Sequence, residues 1–161
     1  MPADSLIDRS LFDPATVVAD LEEIRKVNPQ RYEMEQLTRI CYAADRGGEV
    51  AGVLEVPADP WWARGHVPGR PLMPGVLMVE AAAQLCSFAV RYAYDPAEFG
   101  SRFFGFGGID GVKFRGTVFP GDRLLILGKR TELRPRRAIY QTEGYVGDRR
   151  VFEAQITGMW V

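Results

Sequence analysis

The apolar positions of this chain follow two periods. In "FDPATVVADLEEIRKV" the residues Val17, Val18, Leu21 and Ile24 recur at helical spacing, behind Asp13 as a plausible N-cap and Pro14 in the first turn. This predicts a first helix, ended by "NPQ". Next come "LTRICYAA" and "EVAGVLEV", β-rich runs on either side of "DRGG", which predict a hairpin. A proline-pinned irregular loop, "PADPWWARGHVPGRPLM", then leads into a second helix from about Pro74 to about Tyr94. Beyond a Gly- and Phe-rich connection, four more strands are predicted: "IDGVKFRGTVF", "RLLILGKRTEL", "RAIYQTEGYV" and "RVFEAQITGMWV", divided by "PGD", "RPR" and "GDR". Strands on both sides of one long apolar helix, with no βαβ alternation, indicate an α+β fold with a mostly antiparallel sheet.

The second helix, "PGVLMVEAAAQLCSFAVRYAY", has no clean polar stripe and must be covered on most sides. It approaches membrane-spanning length, but Glu80 and Gln84 interrupt it and no flanking topology signal accompanies it. The expectation is therefore a core helix wrapped by a curved antiparallel sheet, with no membrane.

Length and charge narrow the picture further. A chain of 161 residues suits one domain, and a formal net charge of −1 gives no support to nucleic-acid binding. The sign is uneven. Acidic runs such as "DLEE" lie early, while Lys113, Arg115, Arg123, Lys129, Arg130, Arg134, Arg136 and Arg137 crowd the last third. Most of these read as a solvated sheet surface; several on one face would instead suit an acidic partner. Cys41 and Cys86 have neither C-x-x-C spacing nor a disulfide framework, and "MPADSLIDRS" lacks the apolar run of a secretory signal. The expected setting is cytoplasmic with reduced thiols. No metal-ligand cluster or redox-cofactor motif is visible, so no cofactor is expected.

The single histidine, His66, stands in "GHVPGRPLMPGVLMVE". Pro68, Pro71 and Pro74 each fix φ and restrict the preceding residue, a stiffness that a merely connecting loop does not need. Glu80 falls on the apolar helix, where lost hydration favours the neutral carboxyl group. Gly75 opens that helix, and its unpaired N–H groups and dipole suit a developing oxyanion. Each residue also has a plain reading, as an inert loop imidazole, a helix-start carboxylate and a turn glycine. Together they supply a base, an acid and an amide pocket, as needed to remove a proton beside a thioester-like carbonyl and expel a group one carbon further on.

The stretch "GHVPGRPLMPGVLMVEAAAQ" resembles the signature of the β-hydroxyacyl-(acyl carrier protein) dehydratases of type II fatty acid synthesis. "DLEEIRKVNPQRYEMEQLTRI" and "GIDGVKFRGTVFPGDRL" extend the likeness from about Asp20 to the C-terminus. The resemblance implies a hot-dog fold over 20–161 with residues 1–19 as an N-terminal extension. It further implies a homodimer, or a higher oligomer of dimers, in which each site takes its His from one subunit and its Glu from the other. By match, His66 removes the C2 proton of a (3R)-hydroxyacyl thioester, Glu80 protonates or orients the departing hydroxyl, and the Gly75 amide holds the thioester oxygen. The product is a trans-2-enoyl thioester. Phe106, Ile109, Phe114 and Pro120 are candidate lining of an acyl tunnel, and an acyl carrier protein with a phosphopantetheine-linked chain is the implied partner. Glu at position 80, where related dehydratase-isomerases usually have Asp, points to the plain dehydratase branch.

Val67 replaces the usual Phe, "QRYEME" makes a normally apolar segment polar, and Trp62 and Ala63 change the aromatic pattern before the site. These departures bear on chain length and tunnel shape. Two other readings share the fold. One is an acyl thioesterase; the other is a non-catalytic acyl-binding subunit, which a tunnel blocked by Trp62 would favour.

Overall fold

The computed structural model describes residues 4–161. Six strands, β1 (Arg39–Ala44), β2 (Glu49–Glu55), β3 (Phe104–Phe114), β4 (Arg123–Arg134), β5 (Arg137–Val146) and β6 (Arg149–Trp160), form one sheet in the order β1-β2-β4-β5-β6-β3. Every pairing is antiparallel. The helices are α1 (Leu21–Arg25), α2 (Gly75–Ala89) and the short α3 (Pro96–Phe99). A 3-10 turn, Val90–Ala93, prolongs α2.

The curved sheet wraps α2, the hot-dog arrangement. Leu85, Phe88, Ala81 and Ala82 of the helix are fully buried with Val50, Ile126, Tyr140 and Phe152 of the sheet. The stretch Gly75–Ala93 is long and apolar enough to cross a membrane, yet most of it is buried within the protein. It is the core helix that its sequence demanded. At its far end Gly47 adopts φ 79° and lies directly against the Ala89 carbonyl, so neither the angle nor the space admits a side chain.

Two predicted elements differ from the structure. The first helix shrinks to Leu21–Arg25, capped by Asp20, whose carboxylate accepts from the Glu23 amide at 2.9 Å. Asp13 caps only a turn, through the Ala15 amide. Val18 and Ala19 instead bond to Ile40 on the edge of β1, where β-branched side chains are at ease. Strand β3 begins at Phe104, inside the Gly- and Phe-rich segment read as a connection, and ends at Phe114. Pairing with β6 overrides the glycine content there.

The outer face of the sheet carries a second apolar cluster of Cys41, Ala51, Val53, Leu125, Leu127 and Tyr145. The N-terminal segment straps across it. Ile7 is buried in the cluster, Leu6 and Phe12 pack beside it, and the Phe12 ring stacks on Tyr42 with centroids 5.1 Å apart. Polar ties hold the strap at both ends. The Leu6 amide donates to Glu143 at 3.0 Å, Arg9 donates to the Gly147 carbonyl, and Arg39 donates to the Pro14 carbonyl.

Two measurements check this second cluster. Ile7→Ala should cost about 2–5 kcal/mol in denaturant unfolding, as expected for emptying a filled apolar site. Burial pushes the Cys41 thiol up from 9.0 to about 11. It therefore resists alkylation at neutral pH until the protein unfolds. Its folded pKa is the higher one, so its contribution to stability is complete below pH 9 and falls away as pH rises towards 11.

Candidate active site

The loop before α2 is built as a rigid bracket. Trp62 is only 5 % exposed and packs into the core, so its backbone is anchored; its carbonyl accepts from the His66 amide at 2.9 Å. Val67 to Arg70 form a closed turn, the Arg70 amide donating to Val67, with Gly69 at φ 82°. Val67 itself sits at φ 55°, a strained angle for a β-branched residue that persists only where neighbours enforce it. Beyond the turn, the Met73 amide donates to the Val118 carbonyl and pins the loop to the segment after β3.

The imidazole of His66 is half-buried, and its Nδ1 lies 2.8 Å from the Leu72 carbonyl oxygen. A carbonyl only accepts, so Nδ1 carries a proton, and in the neutral ring the lone pair falls on Nε2. The bracket thus sets both the ring's orientation and its tautomer. It presents a base.

Gly75 starts α2 behind Pro74, and no side chain caps the helix. A β-carbon on Gly75 would lie 2.8 Å from the Phe114 ring, which is 52 % exposed and roofs the helix start. Glycine lets that ring approach closely. The first-turn amides and the positive end of the helix dipole face this place.

Glu80 is half-buried on the one stripe of α2 that the sheet leaves uncovered, together with exposed Val76 and half-buried Ala83. Burial in one chain is therefore less complete than the sequence suggested. Its Oε1 accepts from Gln84 Nε2 at 2.8 Å. Gln84 is 3 % exposed, and it was read from sequence only as a break in an apolar run. Its Oε1 accepts from the Gln36 amide, its Nε2 also donates to the Met34 carbonyl, and its backbone carbonyl accepts from Asn28. These partners fix which end of the amide is nitrogen, so Glu80 Oε1 can only be an acceptor. A proton on this carboxyl group belongs on Oε2. The four-residue spacing of Glu80 and Gln84 on a helix is the signal that could have exposed the pair.

The remaining sequence candidates scatter. Phe106 lines a cavity of about 90 Å³ beside Glu80, with Gln30, Ala83, Ser87, Phe103 and Phe104. Phe114 meets Gly75. Ile109, half-exposed on β3 opposite Ile156, and Pro120, half-buried in the turn before β4, line neither place within one chain. Trp62 does not line the Glu80 cavity and so does not block it. Among the described residues, no group of His, Cys, Asp or Glu is placed to hold a metal ion.

Comparison with known proteins follows the same line. A family model described as "FabA-like domain" matches residues 28–155. The chain is 36% identical over 137 residues to a 3-hydroxyacyl-[acyl-carrier-protein] dehydratase of Pelotomaculum thermopropionicum, covering 85% of this chain and 95% of that one. It is 38% identical over 140 residues to the dehydratase of the same description from Natranaerobius thermophilus, covering 86% and 94%. Among solved structures, a dehydratase heterocomplex from Xenorhabdus doucetiae superposes with TM-score 0.68 at 15% identity, covering 86% of this chain and 90% of that chain. A mutant thioesterase from Pseudomonas aeruginosa does so with TM-score 0.65 at 17% identity, covering 89% and 95%. At such identities these two structures speak for the shared fold.

Replacing Gln84 by Leu should leave the Gln36 amide and the Met34 carbonyl without their buried partner. Chemical denaturation should read a loss of about 1–3 kcal/mol.

Proposed function

Since the chain belongs to the FabA-like family and is a 3-hydroxyacyl-[acyl-carrier-protein] dehydratase, a hydro-lyase of fatty acid synthesis, we propose that His66 and Glu80 are its base and acid. The observation that carries this assignment is the pair of fixed orientations: Nε2 of His66 free as a base, Oε2 of Glu80 free as an acid.

Nε2 of His66 takes the C2 proton of the bound (3R)-hydroxyacyl thioester. The electrons of the C2–H bond become the second bond between C2 and C3, and the C3–O bond breaks. Oε2 of Glu80 gives its proton to the departing hydroxyl, which leaves as water. The thioester oxygen, where negative charge gathers meanwhile, faces the Gly75 amide at the start of α2. Proton transfer from the imidazolium back to the carboxylate resets the pair. The half-exposed stripe that carries Glu80 needs cover to exclude water from the reaction.

A second copy of the chain supplies the cover. β3 lies at one end of the sheet with its outer edge unpaired among the described residues, and Phe106, Ile109, Val112 and Phe114 stand exposed along it. An apolar open edge of this length is a ready pairing surface. Joining two copies along β3 would bring His66 and Gly75 of one protomer to Glu80 of its partner, with Ile109 and Pro120 as further tunnel wall. The acyl carrier protein is the partner that delivers the chain, and the setting is the cytoplasm. Glu80 in place of Asp favours elimination without movement of the double bond.

Two assays test this. With (3R)-hydroxyacyl carrier protein, the wild type should yield the trans-2-enoyl product, while His66→Ala and Glu80→Gln should each lose about 10²–10⁴-fold in turnover. Refolding the two inactive variants together should restore roughly a quarter of wild-type activity, because half the dimers are mixed and each mixed dimer holds one intact site. A mixture that stays inactive would place the base and acid within one protomer. Release of free thiol without an enoyl product would mark a thioesterase instead.

A further inference from the structure

The Glu80 cavity does not stand alone. Ser87, Phe103 and Phe104 line it on one side, and the same three residues line a second cavity of about 260 Å³. The pair runs along a single face of α2 and its continuation: Glu80, Ala83, Gln84, Ser87 and Arg91 follow one another at three- and four-residue spacing. From Glu80 to Arg91 this path covers about 16 Å.

The wall between the two spaces has one buried half and one exposed half. Phe104 is buried, its ring lies directly on Gly158 and meets the Trp160 ring edge-on, and its carbonyl accepts from Ser87. Phe103 is 39 % exposed and closes the remainder.

The second cavity has an apolar floor and a cationic rim. Val27, Val90, Phe103, Phe104 and Trp160 make the floor; Lys26, Arg91 and Arg102 stand around it. Lys26 is already bonded to Glu23 at 2.6 Å. The arginines differ. Arg91 lies over the Phe88 and Tyr92 rings, Arg102 donates to the Glu98 carbonyl, and neither has a carboxylate partner among the described residues. Most cations of the last third are engaged elsewhere, as in the pairs Arg115–Glu153, Arg123–Glu55, Lys129–Glu49 and Arg137–Glu132. Arg130, Arg136 and Arg149 also lack a carboxylate partner among the described residues, but none of them lines this cavity; Arg91 and Arg102 do. An alkyl chain with a methyl end would meet two unneutralised cations there. One with an anionic end would satisfy floor and rim together.

We propose that the second cavity receives the far end of the acyl chain past Phe103, and that Arg91 and Arg102 select 3-hydroxyacyl chains ending in a carboxylate. This rests on the dehydratase site at Glu80 described above. The shared chemistry is an anion at the rim, and a phosphopantetheine phosphate arriving from that side is its other source.

The test compares 3-hydroxyacyl thioesters of N-acetylcysteamine, which carry no phosphate, with matched chains ending in methyl or in carboxylate. Wild-type protein should favour the carboxylate by about tenfold in kcat/KM, and the preference should shrink as salt is raised. The Arg91→Met/Arg102→Gln variant should lose that preference while dehydrating the methyl-ended chain as well as wild type does, which also shows that it folds. Equal rates on both chains in the wild type, or equal losses on both in the variant, would overturn the proposal. So would a variant slowed only on methyl-ended chains borne by phosphopantetheine, since the arginines would then serve the arm's phosphate. Failure of the wild type on every chain would instead strike at the site itself.

Discussion

One constraint governs this molecule: α2 is apolar on nearly every side, and water must be kept from all of it. Each buried Leu, Phe or Val along the helix contributes about 1.5–3 kcal/mol, so leaving even one flank open is costly. A single flat sheet covers only one flank. The six strands therefore curve around the helix, with glycines where the packing is tightest, and the proline-rich loop closes the start. What stays open is a narrow stripe through Val76, Glu80 and Ala83, and the single carboxylate of α2 stands on it.

The proposed chemistry would use rigidity made for other reasons. Trp62 belongs to the core, yet its carbonyl sets the backbone of His66; the Leu72 carbonyl then chooses the ring's tautomer. Gln84 joins α2 to the segment around Met34 and Gln36 while turning one oxygen of Glu80 inward. In both places a single packing interaction also decides where a proton can reside. Strain at Val67 fits the same economy, because a backbone angle this unfavourable needs surroundings that leave no alternative.

Much of this was legible in the residues themselves. The all-round apolarity of α2, the hairpin at "DRGG" and the three later strands from β4 onward stand in the structure where the periodicity put them. The stiff loop and its lone imidazole stood out because three prolines in seven residues have no simple structural use. The failures were of two physical kinds. Val17 and Val18 keep helical spacing but lie against the edge of β1, and spacing cannot register a competing strand partner. Phe104 to Gly108 have the composition of a loop, yet β6 supplies the pairing that makes them a strand. Gln84 was passed over for a related reason: its importance resides in contacts with residues about fifty positions away, which no local pattern contains.

The two borders of the sheet are treated differently. At β1 the segment around Val18 and Ala19 occupies the backbone groups of Ile40, while β3 at the opposite border has no strand partner on its outer side among the described residues. A sheet with one guarded border can be lengthened in one direction only. When two identical sheets meet through their open borders, each uses up the other's sole vacancy, and further growth has no starting point. Assembly of this kind is self-limiting: with the bridge from Ala19 to Ile40 interrupting the β1 border, strands have less opportunity to stack without end into fibres.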